Sequence, residues 1–110
     1  MKNVKKLITE LSGHRGMDCY YVLCCAVEAA IAHQPDEVKM KQICFEIMET
    51  SGKKYKTVSK AISRAVNDIW EYGNRDKLFE IYGHSLIEKP SPKDLICVLS
   101  QFIWLNPDKL

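Results

Sequence analysis

A cluster of basic side chains stands out between Glu49 and Asp68, because this interval contains cations and no acidic residue. Its five cations are Lys53, Lys54, Lys56, Lys60 and Arg64. The other 11 basic and 14 acidic residues leave the rest of the chain with a net charge of about −3, so the basic character is concentrated here. Ammonium and guanidinium groups at this density attract phosphate. The cluster therefore predicts contact with a nucleic-acid backbone.

The residues that carry this cluster have the apolar spacing of one face of an α-helix, over about residues 55–72. The apolar positions are Tyr55, Val58, Ala61, Ile62, Ala65, Val66, Ile69 and Trp70. Cations and hydrogen-bond donors gather in the N-terminal half of the opposite face, and the acids Asp68 and Glu71 come only near the end. Cations stabilise a helix at its C-terminus, so this order sacrifices local helix stability. It favours a role in binding phosphate.

A second helix is predicted just before it, over residues 38–50, and Ser51-Gly52 supplies the turn that ends it. Two helices joined by a short glycine-containing turn, the second with a basic leading half, predict a helix-turn-helix over about 38–72. The alternative is an amphipathic surface helix whose lysines are merely solvated. The predicted DNA-binding residues are Lys53, Lys54, Lys56, Thr57, Ser59, Lys60, Ser63, Arg64 and Asn67.

The whole chain of 110 residues is predicted to form one all-α domain of about six helices, residues 1–110, without clear strands. Further helices are expected over 3–12, 17–33 and 75–82, and a last one after Ser91. Residues 17–33 are apolar nearly all round, which predicts a buried central helix. Ser91-Pro92-Lys93-Asp94 combines an N-cap serine, a proline at the first helical position and an acid at the third.

The five cysteines are an odd number without a regular framework and fall inside apolar helical patterns, so we expect reduced thiols and no disulfides. The chain starts without an apolar signal core and has no stretch long enough to span a membrane. We therefore expect a cytoplasmic protein without membrane contact.

Other chemistry has little support from residue spacing. His14, Cys19, Cys24, Cys25 and His33 lack the paired spacing of zinc sites and point around a helix, so no metal or cofactor is predicted. Cys24 with His84 could be posed as nucleophile and base, but no third group orients them, so no enzyme activity or catalytic residue is predicted. The aromatic residues are expected in the core, except Trp104, which is the candidate for an exposed protein contact.

The segment Val58-x-x-Ala61-Ile62-x-x-Ala65-Val66-x-x-x-Trp70-x-x-Gly73-Asn74, followed by Tyr82-Gly83 and Lys89-Pro90-x-Pro92, resembles a known family. It is similar to the C-terminal effector domain of the stage zero sporulation master response regulator of endospore-forming Firmicutes. The similarity is gapless over about 43–83 and looser over 7–105. It implies a winged-helix-like, six-helix domain that binds double-stranded promoter DNA. An RNA polymerase sigma subunit and a second copy of the chain on DNA are further partners that it implies.

The chain departs from this family where the family contacts bases. The family's recognition helix opens S-R-V-E-R-A-I-R-H, and here Arg, Glu and the next Arg are replaced by Thr57, Ser59 and Lys60. Thr and Ser cannot reproduce the base discrimination of an Arg on guanine or a Glu on cytosine, worth roughly 1–3 kcal/mol each. We therefore expect the chain to share the family's fold but not to recognise the family's operator sequence. A protein-interaction module on a helix-turn-helix scaffold that has lost DNA binding is the alternative.

The family's receiver domain, with its phosphorylated aspartate, has no counterpart in the chain. The chain is therefore either an excised effector domain or a stand-alone relative without phosphorylation control. The start at Met1 and the missing linker favour the stand-alone relative.

Overall fold

The computed structural model describes residues 2–14 and 16–107, except for the side chain of Lys2. Six helices follow one another: α1 (Lys2–Leu11), α2 (Asp18–Ala32), α3 (Met40–Ser51), α4 (Tyr55–Tyr72), α5 (Arg75–Tyr82) and α6 (Pro92–Leu105). The described residues contain no strand, and the all-α prediction is confirmed. Of the predicted loop 13–16, Arg15 lies outside the described residues.

Helix α2 is the centre of the fold, as its nearly uniform apolar character predicted. It packs against α1, α3, α4 and α6, while α5 closes the far side against α1 and α6. Leu23, Ala26 and Val27 on α2 are fully buried, together with Leu7 and Leu99 from its neighbours. A single hydrophobic core therefore fixes α4 against α2, α3 and α6.

The helix boundaries follow local capping signals. Ser91 Oγ accepts a hydrogen bond from Asp94 N at 3.1 Å, so the predicted N-cap of α6 is confirmed. Asn74 Oδ1 accepts from Lys77 N at 3.0 Å and starts α5 in the same way. Helix α3 begins two residues later than predicted, because Lys39 is still extended and its carbonyl accepts the first helical bond, from Ile43 N.

The segment from Trp70 to Arg75, which joins α4 to α5, is held by three close contacts, one of them with α1. The Arg75 guanidinium lies 4.1 Å from the centre of the Trp70 ring, and Arg75 Nε donates to the Trp70 carbonyl. Asn74 N donates to the Leu11 carbonyl of α1 at 3.1 Å. Gly73 lies so close to α1 that a Cβ atom there would be 2.3 Å from the Leu11 carbonyl oxygen and 2.5 Å from the Ile69 carbonyl oxygen. Only glycine fits at this crossing.

Replacing Gly73 by alanine is therefore expected to destabilise the domain by about 2 kcal/mol, since both opposing atoms are backbone and cannot rotate away. Gly83→Asn is the control, because a Cβ at Gly83 meets nothing within 4 Å and asparagine tolerates the positive φ of this position. Urea unfolding of both variants checks this. Equal losses for the two variants would contradict the steric account.

None of the helices in the described part of the chain combines the length and the apolar character needed to cross a bilayer. All five cysteines fall within the described residues and are free thiols in the structure.

Candidate nucleic-acid interface

Helices α3 and α4 are joined by a three-residue turn that begins at Gly52, whose φ of 72° puts it in the left-handed region that favours glycine. The side chain of Ser51, the last residue of α3, stabilises the turn through two hydrogen bonds. Its Oγ donates to the Ile47 carbonyl at 2.6 Å and accepts from Lys53 N at 3.2 Å. Two helices joined by a short glycine-containing turn are therefore present, with α4 at the predicted bounds.

Helix α4 is fixed by its apolar face and leaves the opposite face open. Val58, Ile62, Ala65, Val66 and Ile69 are all buried. Viewed down the helix axis, with 100° per residue, the exposed polar side chains span an arc of roughly 120°. Ser63 lies at one edge of this arc and Thr57 at the other. The middle of this arc is formed by Lys56, Lys60 and Asn67. We call these three residues, together with Thr57, Ser63 and Arg64, the basic arc.

The predicted site residues come together on this surface. Eight of the nine are exposed, and Ser59 alone is half-buried. Ser59 and Ser63 line a groove of about 260 Å³ between α4, α3 and the start of α6. Lys53 and Lys54 are exposed in the turn that leads into α4. Glu71 is the only exposed acid of α4, and it lies in the last turn, seven residues after Arg64.

The N-terminus of α4 has no side-chain cap, like those of α2 and α3 and unlike those of α5 and α6. Its N-cap residue is Lys54, which provides no side-chain acceptor, and its first turn contains no acid. The free N–H groups and the positive end of the helix dipole are thus surrounded by Lys53, Lys54 and Lys56. Such an arrangement can bind the oxygens of a phosphate group.

Lys89 is a member of this surface that sequence reasoning did not assign to it. Its Nζ donates to Asn67 Oδ1 at 2.5 Å, which places an additional ammonium group at the C-terminal end of the basic arc. Lys93, at the start of α6, borders the groove beside Ser63 and forms a long ion pair of 3.7 Å with Glu37. The Lys89-Pro90-x-Pro92 motif was visible in the sequence, but its contact with a helix 22 residues earlier was not.

The other functional group missed by the sequence reasoning is Asp68, which lies on α4 but points into the protein. Its side chain is only 7% exposed. Oδ2 accepts from His14 N at 2.8 Å and from the Tyr20 hydroxyl, and Oδ1 lies 2.5 Å from His14 Nδ1. The sequence pattern had placed Asp68 among the polar residues near the end of α4. The structure corrects this, because a carboxylate with several partners can be buried.

The Asp68 carboxylate connects α4, the candidate recognition helix, to the loop after α1 and to the start of α2. Burial by itself would raise the pKa of Asp68, but the hydrogen bonds from Tyr20 and His14 outweigh it, so the pKa is lowered. Burial and the bond to Asp68 raise the pKa of the Tyr20 hydroxyl. Tyr20 therefore stays protonated and donates, and Asp68 stays ionised and accepts.

The lowered pKa of Asp68 predicts a loss of stability in acid. A group whose pKa is lower in the folded than in the unfolded state stabilises the fold at pH values above its unfolded pKa, about 3.9. This contribution disappears as the pH falls through the lower pKa of the folded state. Urea unfolding at a series of pH values from about 6 to 2 is the measurement. The difference in unfolding free energy between the wild type and Asp68→Asn should shrink below about pH 4. A difference that does not change with pH would contradict the assignment.

The described residues contain no group of three or more His, Cys, Asp or Glu side chains placed to hold a metal ion. Cys24 and His84 belong to different regions: Cys24 is buried in α2, and His84 is exposed and bonded to the Ser85 carbonyl. Trp104 is 45% exposed, as its position predicted, whereas Trp70, Phe79, Tyr82 and Phe102 pack against the core.

No protein-family model matches the chain, and no curated protein matches it.

Proposed function

We propose that the chain is a sequence-specific DNA-binding transcriptional regulator that inserts α4 into the major groove of promoter DNA. The observation that carries this proposal is the basic arc, a solvent-exposed helix face with three cations and no acid before Glu71, preceded by two lysines in the turn. A lysine run on an ordinary surface helix is usually accompanied by acids at intervals of three or four residues. The first 13 residues of α4, more than three turns, contain no acid, and this favours a polyanionic partner.

The residues have distinct proposed roles. Lys53 and Lys54 hold phosphates at the turn, assisted by the free N–H groups of α4. Lys60 and Arg64 reach base edges or the phosphates that flank them. Lys56, Thr57 and Ser63 complete the surface that faces the groove.

Asn67 and Lys89 act as a pair in this proposal. An asparagine that recognises adenine uses both its carbonyl oxygen and its amide nitrogen. The Asn67 oxygen already accepts from Lys89, so this amide is better suited to holding the lysine in place than to contacting a base. From Lys60 to Asn67 is seven residues, roughly 10 Å along the helix, so Lys89 would contact a phosphate at the edge of the groove.

The base sequence recognised is proposed to differ from that of the sporulation regulators that the chain resembles. Thr57 replaces an Arg, and Ser59, which replaces a Glu, is half-buried beside α6 rather than fully open to solvent. We propose a relative of that effector-domain family, acting in the cytoplasm, with a different operator. A homodimer on DNA and contact with a sigma subunit are further proposals from the same resemblance.

A second candidate function, a protein-interaction module that no longer binds DNA, is favoured by one observation. The side chain that replaces the family's Glu lines a groove with Tyr55 and Pro92 rather than pointing only outward. A sigma factor or another regulator would then be the partner. The basic arc argues against it, because a protein partner does not require a helix face without acids.

The Lys60→Ala variant tests the proposal with an expected selective loss. It should weaken binding to a selected operator by about tenfold, and binding to a scrambled duplex by less than threefold, because a base contact is lost only at the operator. Fluorescence anisotropy with both duplexes measures this. Lys41→Ala, an exposed lysine on α3, is the control. Equal losses on the two duplexes would show that Lys60 contacts only phosphate.

A further inference from the structure

A cleft of about 380 Å³ lies between α1 and the first half of α2, on residues that the DNA-binding proposal does not use. Its walls are mainly apolar, from Ile8, Met17, Tyr20 and Cys24. Thr9 and Ser12 supply hydroxyl groups at the rim. The volume is in the range of small-molecule sites, which are largely apolar with a few polar groups that orient the ligand.

The two ends of the cleft have opposite charge. Lys5 is exposed at one end, and none of the ion pairs between described residues involves it. It lies near Cys24, whose pKa is raised to about 11 by burial and by Cys25 and Glu28, with Lys5 acting in the opposite direction. Asp18 lies at the other end, in the first turn of α2. Cys24 lies six positions after Asp18 on α2, roughly 9 Å along the helix.

We propose that this cleft binds a small monocarboxylic acid with an apolar body. The carboxylate would pair with Lys5, and the apolar body would lie along Ile8 and Met17 toward Tyr20. Asp18 would repel a second anionic group at the far end, so a dicarboxylic acid of the same length is excluded. The unpaired Lys5 ammonium at one end of a mainly apolar cleft favours an acid as the ligand.

The cleft is connected to α4 through one side chain. Tyr20 forms part of its wall, and the Tyr20 hydroxyl donates to Asp68 of α4. A bound acid therefore contacts a residue that holds the candidate recognition helix. The binding site itself does not depend on the DNA-binding proposal and is tested without DNA.

The test is a titration of the ¹⁵N-labelled chain with sodium octanoate, below its micelle concentration, followed by amide chemical shifts. We expect saturable shifts at Met17, Tyr21 and Cys24, with smaller ones at Asp68. 1-Octanol and octanedioate should bind at least about tenfold more weakly than octanoate, because octanol has no charge to pair with Lys5 and the second carboxylate of octanedioate is repelled by Asp18.

Three variants separate this site from non-specific binding. Lys5→Met should weaken octanoate binding about tenfold, and the control Lys41→Met, also an exposed helical lysine, should leave it unchanged. Thr9→Trp, a change at an exposed rim position, should fill the cleft and abolish the shifts. The proposal is overturned if octanoate gives no saturable shifts, if it binds no better than 1-octanol, or if Lys5→Met binds it as well as the wild type does.

Discussion

Replacing Lys56 and Lys60 together by alanine is expected to weaken binding to the selected operator by about 100-fold at physiological salt, taking roughly tenfold for each lost contact. Both side chains are exposed on the middle of the basic arc, and neither has an intramolecular ion pair within the described residues. The fold should be unaffected, because alanine favours a helix at least as well as lysine. The logarithmic salt dependence of the affinity should also become shallower, by up to about 1.8, if both contact phosphates.

The matched control for this double variant is Lys5→Ala with Lys6→Ala, which removes two exposed lysines from α1. Helix α1 packs on α2 and α5, away from the basic arc. Both double variants have the same net charge, so a general charge effect would weaken DNA binding equally in the two. Equal affinities for the two double variants would rule out a specific role for α4.

Asp68→Ala is expected to lower the free energy of unfolding by about 3 kcal/mol, the cost of removing one partner from a buried, charge-assisted network. The carboxylate accepts from His14 N and Tyr20 Oη and lies beside His14 Nδ1, so its loss leaves the Tyr20 hydroxyl buried without its acceptor. Gly13 packs against the same carboxylate, at a distance that leaves no room for a Cβ. The loop after α1 should therefore loosen together with α4.

Glu71→Ala is the control for Asp68→Ala, since it removes a carboxylate from the same helix three residues later. Glu71 is exposed, so its loss should change stability by less than about 0.5 kcal/mol. Urea denaturation with an unchanged m-value gives both numbers. A cost for Asp68→Ala as small as that of Glu71→Ala would mean that the hydrogen-bond network contributes nothing.

The helices could be predicted from the sequence wherever their signals are local. Helix α4 was predicted at both ends, because its apolar period is regular and Gly73 follows its last residue. The N-cap of α6 at Ser91 follows from three adjacent residues. The start of α3 was placed two residues early, since Val38 is apolar and buried although it precedes the helix.

The interactions that complete the candidate site depend on distant parts of the chain and gave no local signal. An acid at position 68 looks solvent-exposed in a helical pattern, and only the loop from α1 and Tyr20 of α2 make its burial favourable. Lys89 reaches Asn67 because α6 packs on α4. The cleft beside Lys5 likewise exists only once α1 lies against α2. Each of these features is a product of packing rather than of periodicity.

The most direct test of the central claim is the affinity of the purified chain for a duplex obtained by selection from a random library. Fluorescence anisotropy would compare it with a scrambled duplex at about 50 and 200 mM salt. We predict at least about a thousandfold preference for the selected duplex. We also predict a loss of roughly 500-fold in non-specific affinity across that salt range, from five phosphate contacts. Failure to bind either duplex at low salt would contradict DNA binding and favour the protein-interaction function.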